Sequence, residues 1–275
     1  MLKPDLLKSP AGSAAGVHRG GPHSTGHPVG PLIGHRGVAA HAPENTLASL
    51  RKAAEMGLRW VEFDVRLSRD GHVMLFHDEH LSRTTDGRGR LGEHDLAVLK
   101  TLDAGSRFSP LFRGEQIPTL AEAIAVLRPL NLGANVELKP DSGRERETAR
   151  AVVQVLRDAL RDDWPAALPA PVISSFSMLA LSESAAAAPE WEHALLVKTI
   201  PDDWQRRLAA LGARALHCNA RWLGPKRAAQ VRGVGVPLRC YTVNSAAMAQ
   251  KLFGWGVNAV FTDAPDRLSS AGWRR

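Results

Sequence analysis

Alternating polar and apolar positions single out one stretch of the chain as a strand. Within residues 60–67, Glu62 and Asp64 share one face and apolar side chains occupy the other. A period of two is typical of a β-strand. The stretch runs into Asp70-Gly71, a dipeptide that favours a two-residue hairpin turn. Folding back about that turn pairs position 64 with position 77, and we therefore expect His77 to lie opposite Asp64.

Short apolar runs alternate with helical patterns along the rest of the chain. The run at 32–36 delivers His35 and Arg36 to its carboxyl end, and the helix after it is expected to open at Pro43. A second helix is expected to begin near Pro118. Further strands are predicted near 134–138, 171–175, 193–197, 214–218, 237–243 and 258–262. Further helices are predicted near 145–162, 177–187, 202–212, 224–232, 245–255 and 265–270.

Adding the strands near 32 and 60 gives eight strands of parallel type, with 73–77 as a hairpin return. Eight strand–helix units predict an α/β fold, a TIM (β/α)8 barrel, with a small insertion after the second strand. An open doubly wound sheet is the alternative. No Gly-x-Gly-x-x-Gly motif follows a strand, which argues against its dinucleotide-binding form.

The predicted barrel does not account for all of the chain. Residues 1–30 are rich in glycine, proline, serine and histidine, lack the apolar core of a signal peptide, and predict a flexible extension. The barrel domain is assigned to 31–275. Within it, residues 79–117 are rich in turn residues, contain a short helix near 94–99, and form an inserted segment of the kind that often makes a lid or a substrate wall.

Composition narrows the classes of function. The net charge of +7 comes from scattered basic residues with few aromatic neighbours, which argues against nucleic-acid binding and suits an anionic substrate. No apolar run is long enough to span a bilayer, so stable membrane association is not expected. Cys218 and Cys240 are too few for a disulfide framework, so we expect buried thiols and a cytoplasmic location. The oligomeric state stays open.

Chemistry is expected at the carboxyl ends of the strands, where the active sites of such barrels lie. The acids Glu62, Asp64 and Glu137 come from neighbouring strands, and two acids on one strand face repel unless a cation lies between them. Three carboxylates suit a hard divalent ion, Mg²⁺ or Ca²⁺, better than zinc. Other polar residues at strand ends are Ser175, His217, Asn219, Thr242, Asn244, Thr262 and Asp263.

Two basic and two imidazole side chains complete the predicted site. Arg36 and Lys139 would place fixed positive charge beside the metal and bind a phosphate. His35 and His77 are the groups able to exchange protons near neutral pH. An acid and a base on opposite sides of a phosphoryl group suffice for phosphodiester cleavage. Taken singly, each feature also fits an internal ion pair or a structural histidine.

The same residues resemble a family pattern. His35-Arg36-Gly37, Pro43-Glu44-Asn45-Thr46, Glu62-x-Asp64, His77-Asp78 and Glu137-x-Lys139 are similar to the motifs of the glycerophosphodiester phosphodiesterases. The resemblance continues through 174–176, 241–244 and 261–265, and so covers residues 31 to 268 in order. Tyr241 stands where many members have tryptophan, and 38–41 differs from the usual linker.

The resemblance implies hydrolysis of small-molecule glycerophosphodiesters to sn-glycerol 3-phosphate and an alcohol on a TIM barrel. It implies that Glu62, Asp64 and Glu137 bind the metal (Mg²⁺, with Ca²⁺ or Mn²⁺ as alternatives), that His35 and His77 are the acid–base pair, and that Arg36 and Lys139 bind phosphate. The headgroup preference, the role of each histidine, and the attacking oxygen (water or the substrate's 2-hydroxyl) stay open. Phospholipase D-like cleavage of intact phospholipids and a non-enzymatic binding module are the alternative functions.

Overall fold

Nine strands form one sheet in the computed structural model, which describes residues 30–161 and 168–269. The strands are β1 (Leu32–Gly34), β2 (Trp60–Leu67), β3 (Val73–Leu75), β4 (Gly133–Leu138), β5 (Val172–Ser175), β6 (Glu192–Val197), β7 (Ala215–Asn219), β8 (Leu238–Tyr241) and β9 (Ala259–Thr262). Their order around the sheet is β1-β9-β8-β7-β6-β5-β4-β2-β3. All neighbours are parallel except the antiparallel hairpin β2–β3.

Pairing of β1 with both β9 and β2 closes the eight parallel strands into a barrel. Helices separate the strands: α1 (Leu47–Glu55), α2 (Leu96–Leu99), α3 (Leu120–Leu130), α4 (Glu145–Arg161), α5 (Met178–Ala187), α6 (Trp204–Leu211), α7 (Pro225–Val234), α8 (Ala246–Gly254) and α9 (Pro265–Ser269). The prediction of a TIM barrel is confirmed, and most observed bounds lie within a residue or two of the predicted ones.

The alternation along β2 separates two environments. Val61, Phe63 and Val65 belong to the large apolar cluster between the barrel and its helices. Trp60 belongs to the small cluster inside the barrel, and Glu62 and Asp64 are buried on that same inner face. The period of two therefore turns the acids toward the barrel interior and the apolar residues toward the helices.

The first helix begins later than predicted. It starts at Leu47, after Thr46, whose hydroxyl accepts a hydrogen bond from the Ser49 N–H and donates one to the Pro43 carbonyl. Asn45 has a φ of 56°, a left-handed conformation that a helix cannot contain. The prediction that the helix opens at Pro43 was therefore wrong, because the residues before Leu47 form a turn at the barrel rim.

The hairpin register is also shifted by one residue from the prediction. The turn has three residues rather than two, because the Ser68 N–H bonds to the His72 carbonyl and Gly71 has a φ of +84°. Asp64 therefore bonds through its carbonyl to the Phe76 N–H, and His77 does not lie opposite it. β3 ends at Leu75, two residues before His77, whose carbonyl accepts a hydrogen bond from Arg66 Nε of β2 at 2.9 Å.

The segment between β3 and α3 carries α2 and three short 3₁₀ turns, Leu81–Arg83, Leu91–Glu93 and Pro110–Phe112. It packs around a small apolar cluster of its own, which includes Leu81, Leu91 and Leu99. The assignment of 79–117 as an inserted segment of a 31–275 domain stays a prediction, and the extension over 1–30 lies almost wholly outside the described residues. Within the described ranges, the helices are too short or too polar to cross a membrane.

Candidate active site

Three carboxylates meet inside the carboxyl end of the barrel. The register of β2 and β4 sets Asp64 beside Glu137, and Glu62 precedes Asp64 on the same inward face. Each residue offers an oxygen that lies within 4.8 Å of the other two. The predicted clustering of these acids is thus present in the structure, and it follows from parallel pairing of two adjacent strands.

Burial and mutual repulsion raise the pKa of two of these acids. Burial, and then the negative charge of Asp64, raises the pKa of Glu62 to about 8. The same two causes, in the same order, raise the pKa of Glu137 to about 7. Burial also opposes ionisation of Asp64, but the positive charges of Arg36 and Lys139 outweigh it, and its pKa lies below the usual range. Such opposed shifts are common at functional sites.

The donor set fits a hard divalent cation. The Oε1 atom of Glu62 is buried and, among the residues that the structure describes, makes no hydrogen bond. A carboxylate oxygen buried without a donor is costly, and a cation would satisfy it. Oxygen ligands alone suit Mg²⁺, Ca²⁺ or Mn²⁺.

Arg36 and Lys139 flank the acids. Lys139 places its Nζ 3.2 Å from Glu137 Oε1 and 3.7 Å from Asp64 Oδ1. Arg36 places its Nε 3.4 Å from Asp64 Oδ2, and its backbone N–H donates to Glu62 Oε2 at 2.9 Å. Arg36 and Lys139 therefore lie at the acidic cluster, as predicted. Arg36 contacts the acids through its backbone N–H as well as through its side chain.

A sharp turn after β1 creates this backbone contact. Arg36 has a φ of 51°, and Gly37 has a φ of +83°. A Cβ on Gly37 would lie 2.2 Å from the Ser49 hydroxyl oxygen and 2.8 Å from the Ser49 carbonyl carbon. Only glycine fits that space and conformation, which explains why the apolar strand ends in a glycine-flanked turn.

Each predicted catalytic histidine is held by a carboxylate through its Nδ1. His35 Nδ1 lies 2.6 Å from Asp263 Oδ1, and its Nε2 lies 4.0 Å from Glu62 Oε2. His77 Nδ1 lies 2.6 Å from Asp78 Oδ1. Because Nδ1 is occupied in both rings, Nε2 is the nitrogen left to exchange a proton.

The two imidazoles differ in their pKa. Burial lowers the pKa of His35, but its hydrogen bond to Asp263 and the negative charge of Glu62 more than offset the effect of burial, so the pKa is raised. Burial, with the positive charges of Arg36 and Lys139, outweighs the nearby acids at His77 and lowers its pKa. The environments therefore push the two groups apart, toward an acid and a base.

A cavity of about 250 Å³ joins these groups. It reaches all seven predicted site residues and is also lined by Asn135, Ser174, Phe176, Leu196, His217, Tyr241, Thr242 and Phe261. Ser175 ends β5 as predicted but does not line this cavity, and its hydroxyl donates to the Leu138 carbonyl. Ser174 faces the cavity in its place.

Several supporting residues were not predicted from the sequence. Asn45 donates from its amide to Asp64 Oδ2 at 2.9 Å and accepts from the Asp64 N–H at 3.1 Å. Asp263 was noted only as a polar strand-end residue, yet it holds His35 and is itself held by the Asn244 amide at 2.7 Å. Asn45 lies in the motif Pro43-Glu44-Asn45-Thr46, but its contact with Asp64 depends on a turn that leaves no periodic pattern in the sequence.

Fold and site together define a TIM-barrel enzyme with three clustered carboxylates that could hold a cation, two basic side chains and two imidazoles in one cavity. The chain belongs to the glycerophosphoryl diester phosphodiesterase family, whose model matches residues 35–267. A glycerophosphodiester phosphodiesterase of Caldanaerobacter subterraneus subsp. tengcongensis is 30% identical over 238 residues, which are 86% of this chain and 95% of that protein. One of Bacillus subtilis is 32% identical over 251 residues, covering 85% of this chain and 83% of that protein.

A solved structure is similar over the same region. It is a phosphodiesterase of Oleispira antarctica in complex with the product sn-glycerol-3-phosphate, with a TM-score of 0.84 and 42% identity. The match covers 88% of this chain and 96% of that one. The predictions of the family and of a phosphodiesterase are confirmed.

Proposed function

We propose that the protein hydrolyses glycerophosphodiesters to sn-glycerol 3-phosphate and an alcohol, with the help of a divalent cation. The observation that carries the proposal is the convergence of three carboxylates, two basic side chains and two imidazoles on one cavity. The product bound to the Oleispira antarctica relative supports this substrate class.

Glu62, Asp64 and Glu137 would hold the cation, Mg²⁺ first and Ca²⁺ or Mn²⁺ as alternatives. A cation bound there would supply Lewis-acid polarisation of a phosphate oxygen. Arg36 and Lys139 would bind the remaining phosphate oxygens, because both present donors to the cavity beside the acids. Their charges would also balance the charge that develops on the phosphoryl group.

His35 and His77 would move the protons at Nε2. His77, with its lowered pKa, is the better base near neutral pH and would accept a proton from the attacking oxygen. His35, with its raised pKa, is the better acid and would protonate the leaving alkoxide. Asp78 and Asp263 would keep each ring in the tautomer that leaves Nε2 toward the cavity.

The test is a substrate panel with matched variants. Glycerophosphocholine, glycerophosphoethanolamine and glycerophosphoglycerol are assayed with Mg²⁺, Ca²⁺ or Mn²⁺ and with EDTA, and glycerol 3-phosphate is measured. We expect EDTA to abolish turnover, and His35→Ala and His77→Ala each to lower kcat by roughly 10²-fold or more. Activity that survives EDTA would remove the cation from the proposal, and near-normal turnover in either variant would remove that histidine.

Two further arms of the panel test the alternative function and the identity of the attacking oxygen. Vesicles of intact phospholipid test the alternative, phospholipase D-like function, and release of headgroup from them at a rate similar to that from glycerophosphodiesters would favour it. Following the reaction by ³¹P NMR tests the attacking oxygen, because attack by the 2-hydroxyl passes through a cyclic phosphate and attack by water does not. A cytoplasmic location and the absence of nucleic-acid binding remain predictions.

A further inference from the structure

Arg83 lies between two carboxylates at the edge of the active site. Its Nη1 and Nη2 each donate to Glu44, on Oε2 and Oε1, at 2.7 Å. Its Nε and Nη2 donate to Asp78, on Oδ2 at 2.5 Å and on Oδ1 at 3.1 Å. One guanidinium thus forms two bidentate pairs, the arrangement in which an arginine fixes its partners most firmly.

Each carboxylate held by Arg83 also holds a residue of the site. Glu44 Oε1 accepts a hydrogen bond from Arg36 Nη1 at 2.7 Å. Asp78 Oδ1 lies 2.6 Å from His77 Nδ1. Arg83 therefore stands one carboxylate away from the proposed phosphate-binding arginine and one carboxylate away from the proposed base, without lining the main cavity.

The position of Arg83 is set by the segment between β3 and α3. It ends the 3₁₀ turn Leu81–Arg83, in which Leu81 is buried, and the buried Thr85 donates its hydroxyl to the Leu81 carbonyl. The backbone of Arg83 is thus anchored from both sides. The 3₁₀ turn consequently contacts Glu44 and Asp78 through the Arg83 side chain.

Without Arg83, both carboxylates would lose their main partner. The hydrogen bonds from Arg83 hold the pKa of Asp78 below its usual range. At Glu44 burial raises the pKa, but the hydrogen bonds from Arg83 and the positive charges of Arg36 and Arg83 together outweigh it, so that pKa is also lowered. A Glu44 free to move would release Arg36 toward Asp64, which already lies 3.4 Å from its Nε. A freed Asp78 would release the His77 ring.

We propose that Arg83 is a positioning residue that orients Arg36 through Glu44 and His77 through Asp78, and so aligns phosphate binding with proton transfer. The inference rests on the proposed function, in which Arg36 binds phosphate and His77 is the base. It assigns the two branches different main kinetic effects: the Glu44 branch acts mainly on KM, because Arg36 binds the substrate phosphate, and the Asp78 branch acts mainly on kcat.

The experiment compares Arg83→Ala, Arg83→Lys, Glu44→Gln and Asp78→Asn with the wild-type chain. We expect Arg83→Ala to lower kcat/KM by about 10- to 100-fold, the usual scale for residues that orient a site. Glu44→Gln is expected mainly to raise KM, Asp78→Asn mainly to lower kcat, and Arg83→Ala to do both. Arg83→Lys should recover only part of the loss, because one ammonium cannot pair with both carboxylates bidentately.

A double-mutant cycle separates positioning from a purely structural role. In a Glu44→Gln/Asp78→Asn background, we expect Arg83→Ala to lower kcat/KM by less than about a further 3-fold, because the two carboxylates through which Arg83 acts are already removed. Arg88→Ala, at an exposed arginine of the same segment, is the matched control and is expected to stay within about twofold of wild type. Circular dichroism and Tm confirm folding, and Arg83→Gln replaces Arg83→Ala if the latter does not fold.

Wild-type kcat and KM in the Arg83 variants would overturn the proposal, and so would a loss of equal size in the double-variant background. All proteins are assayed on glycerophosphocholine and on bis(4-nitrophenyl) phosphate, a generic phosphodiester. If the wild-type protein hydrolysed bis(4-nitrophenyl) phosphate but not glycerophosphocholine, the proposed substrate class would be contradicted. The comparison among variants on bis(4-nitrophenyl) phosphate would still decide the role of Arg83.

Discussion

Lowering the pH is expected to weaken cation binding and to make each binding event release more protons. The perturbation acts on Glu62 and Glu137, whose pKa values of about 8 and about 7 mean that both carry protons at pH 6 in the metal-free protein. Asp64, with its lowered pKa, is ionised throughout this range. A cation binds the ionised carboxylates, so the protons must leave first.

The two pKa values give the magnitude. At pH 6 we expect the metal-free protein to hold close to two protons on Glu62 and Glu137 together, so cation binding is expected to release about two protons. At pH 9 the corresponding release is about 0.1 proton. Integrated between these limits, the affinity at pH 6 is expected to be roughly a thousandfold weaker than at pH 9.

Calorimetric titration with Mg²⁺ in buffers of different ionisation enthalpy counts the released protons directly. Glu137→Gln is expected to reduce the release at pH 6 by about one proton, because it removes one titrating carboxyl. Glu55→Gln, at an exposed glutamate at the end of α1, serves as the control and is expected to leave the count unchanged. An affinity independent of pH, with no proton released at pH 6, would refute the assignment of these acids as ligands.

Three further perturbations test other parts of the structure. Gly37→Ala is expected to lower stability by more than about 2 kcal/mol, because its Cβ would meet Ser49 in a left-handed conformation; an unchanged denaturation midpoint would contradict this. Asp263→Asn is expected to lower the pKa of His35, followed by NMR titration of the ring, because it removes the carboxylate that favours the charged form; a rise would contradict the assignment. The two buried cysteines are expected to react with Ellman's reagent only on unfolding, and rapid reaction of the native protein would contradict their burial.

The strands and most helices were predictable because their periods are local. The alternation from Trp60 to Leu67 follows from the pleat of a single strand, so it correctly separated Glu62 and Asp64 from the apolar face. Parallel pairing then required the carboxyl ends of the strands to share one rim, and this correctly brought Glu137 to the same place.

The two wrong predictions, the hairpin register and the start of α1, concern turns for which the same sequence fits two local conformations. A two-residue and a three-residue turn at Asp70-Gly71 fit the same sequence, and the difference moves every cross-strand partner by one position, including the partner of Asp64. The start of α1 was misplaced because proline and an acid favour a helix start, whereas Asn45 is held in a left-handed turn by its two hydrogen bonds to Asp64. That contact spans nineteen residues and has no local signature.

The sequence by itself determined the barrel, the rim on which function gathers, and the seven polar residues that meet there, because hydrophobic period and strand direction are properties of each segment alone. Only the tertiary structure decided how those residues are held. The bond between His35 and Asp263 joins positions 228 residues apart, and the bridge from Arg83 through Glu44 to Arg36 joins the turn Leu81–Arg83 to the connection between β1 and α1. The first of these pairings exists because closing the barrel brings its first and last strands together, and that closure belongs to the whole chain.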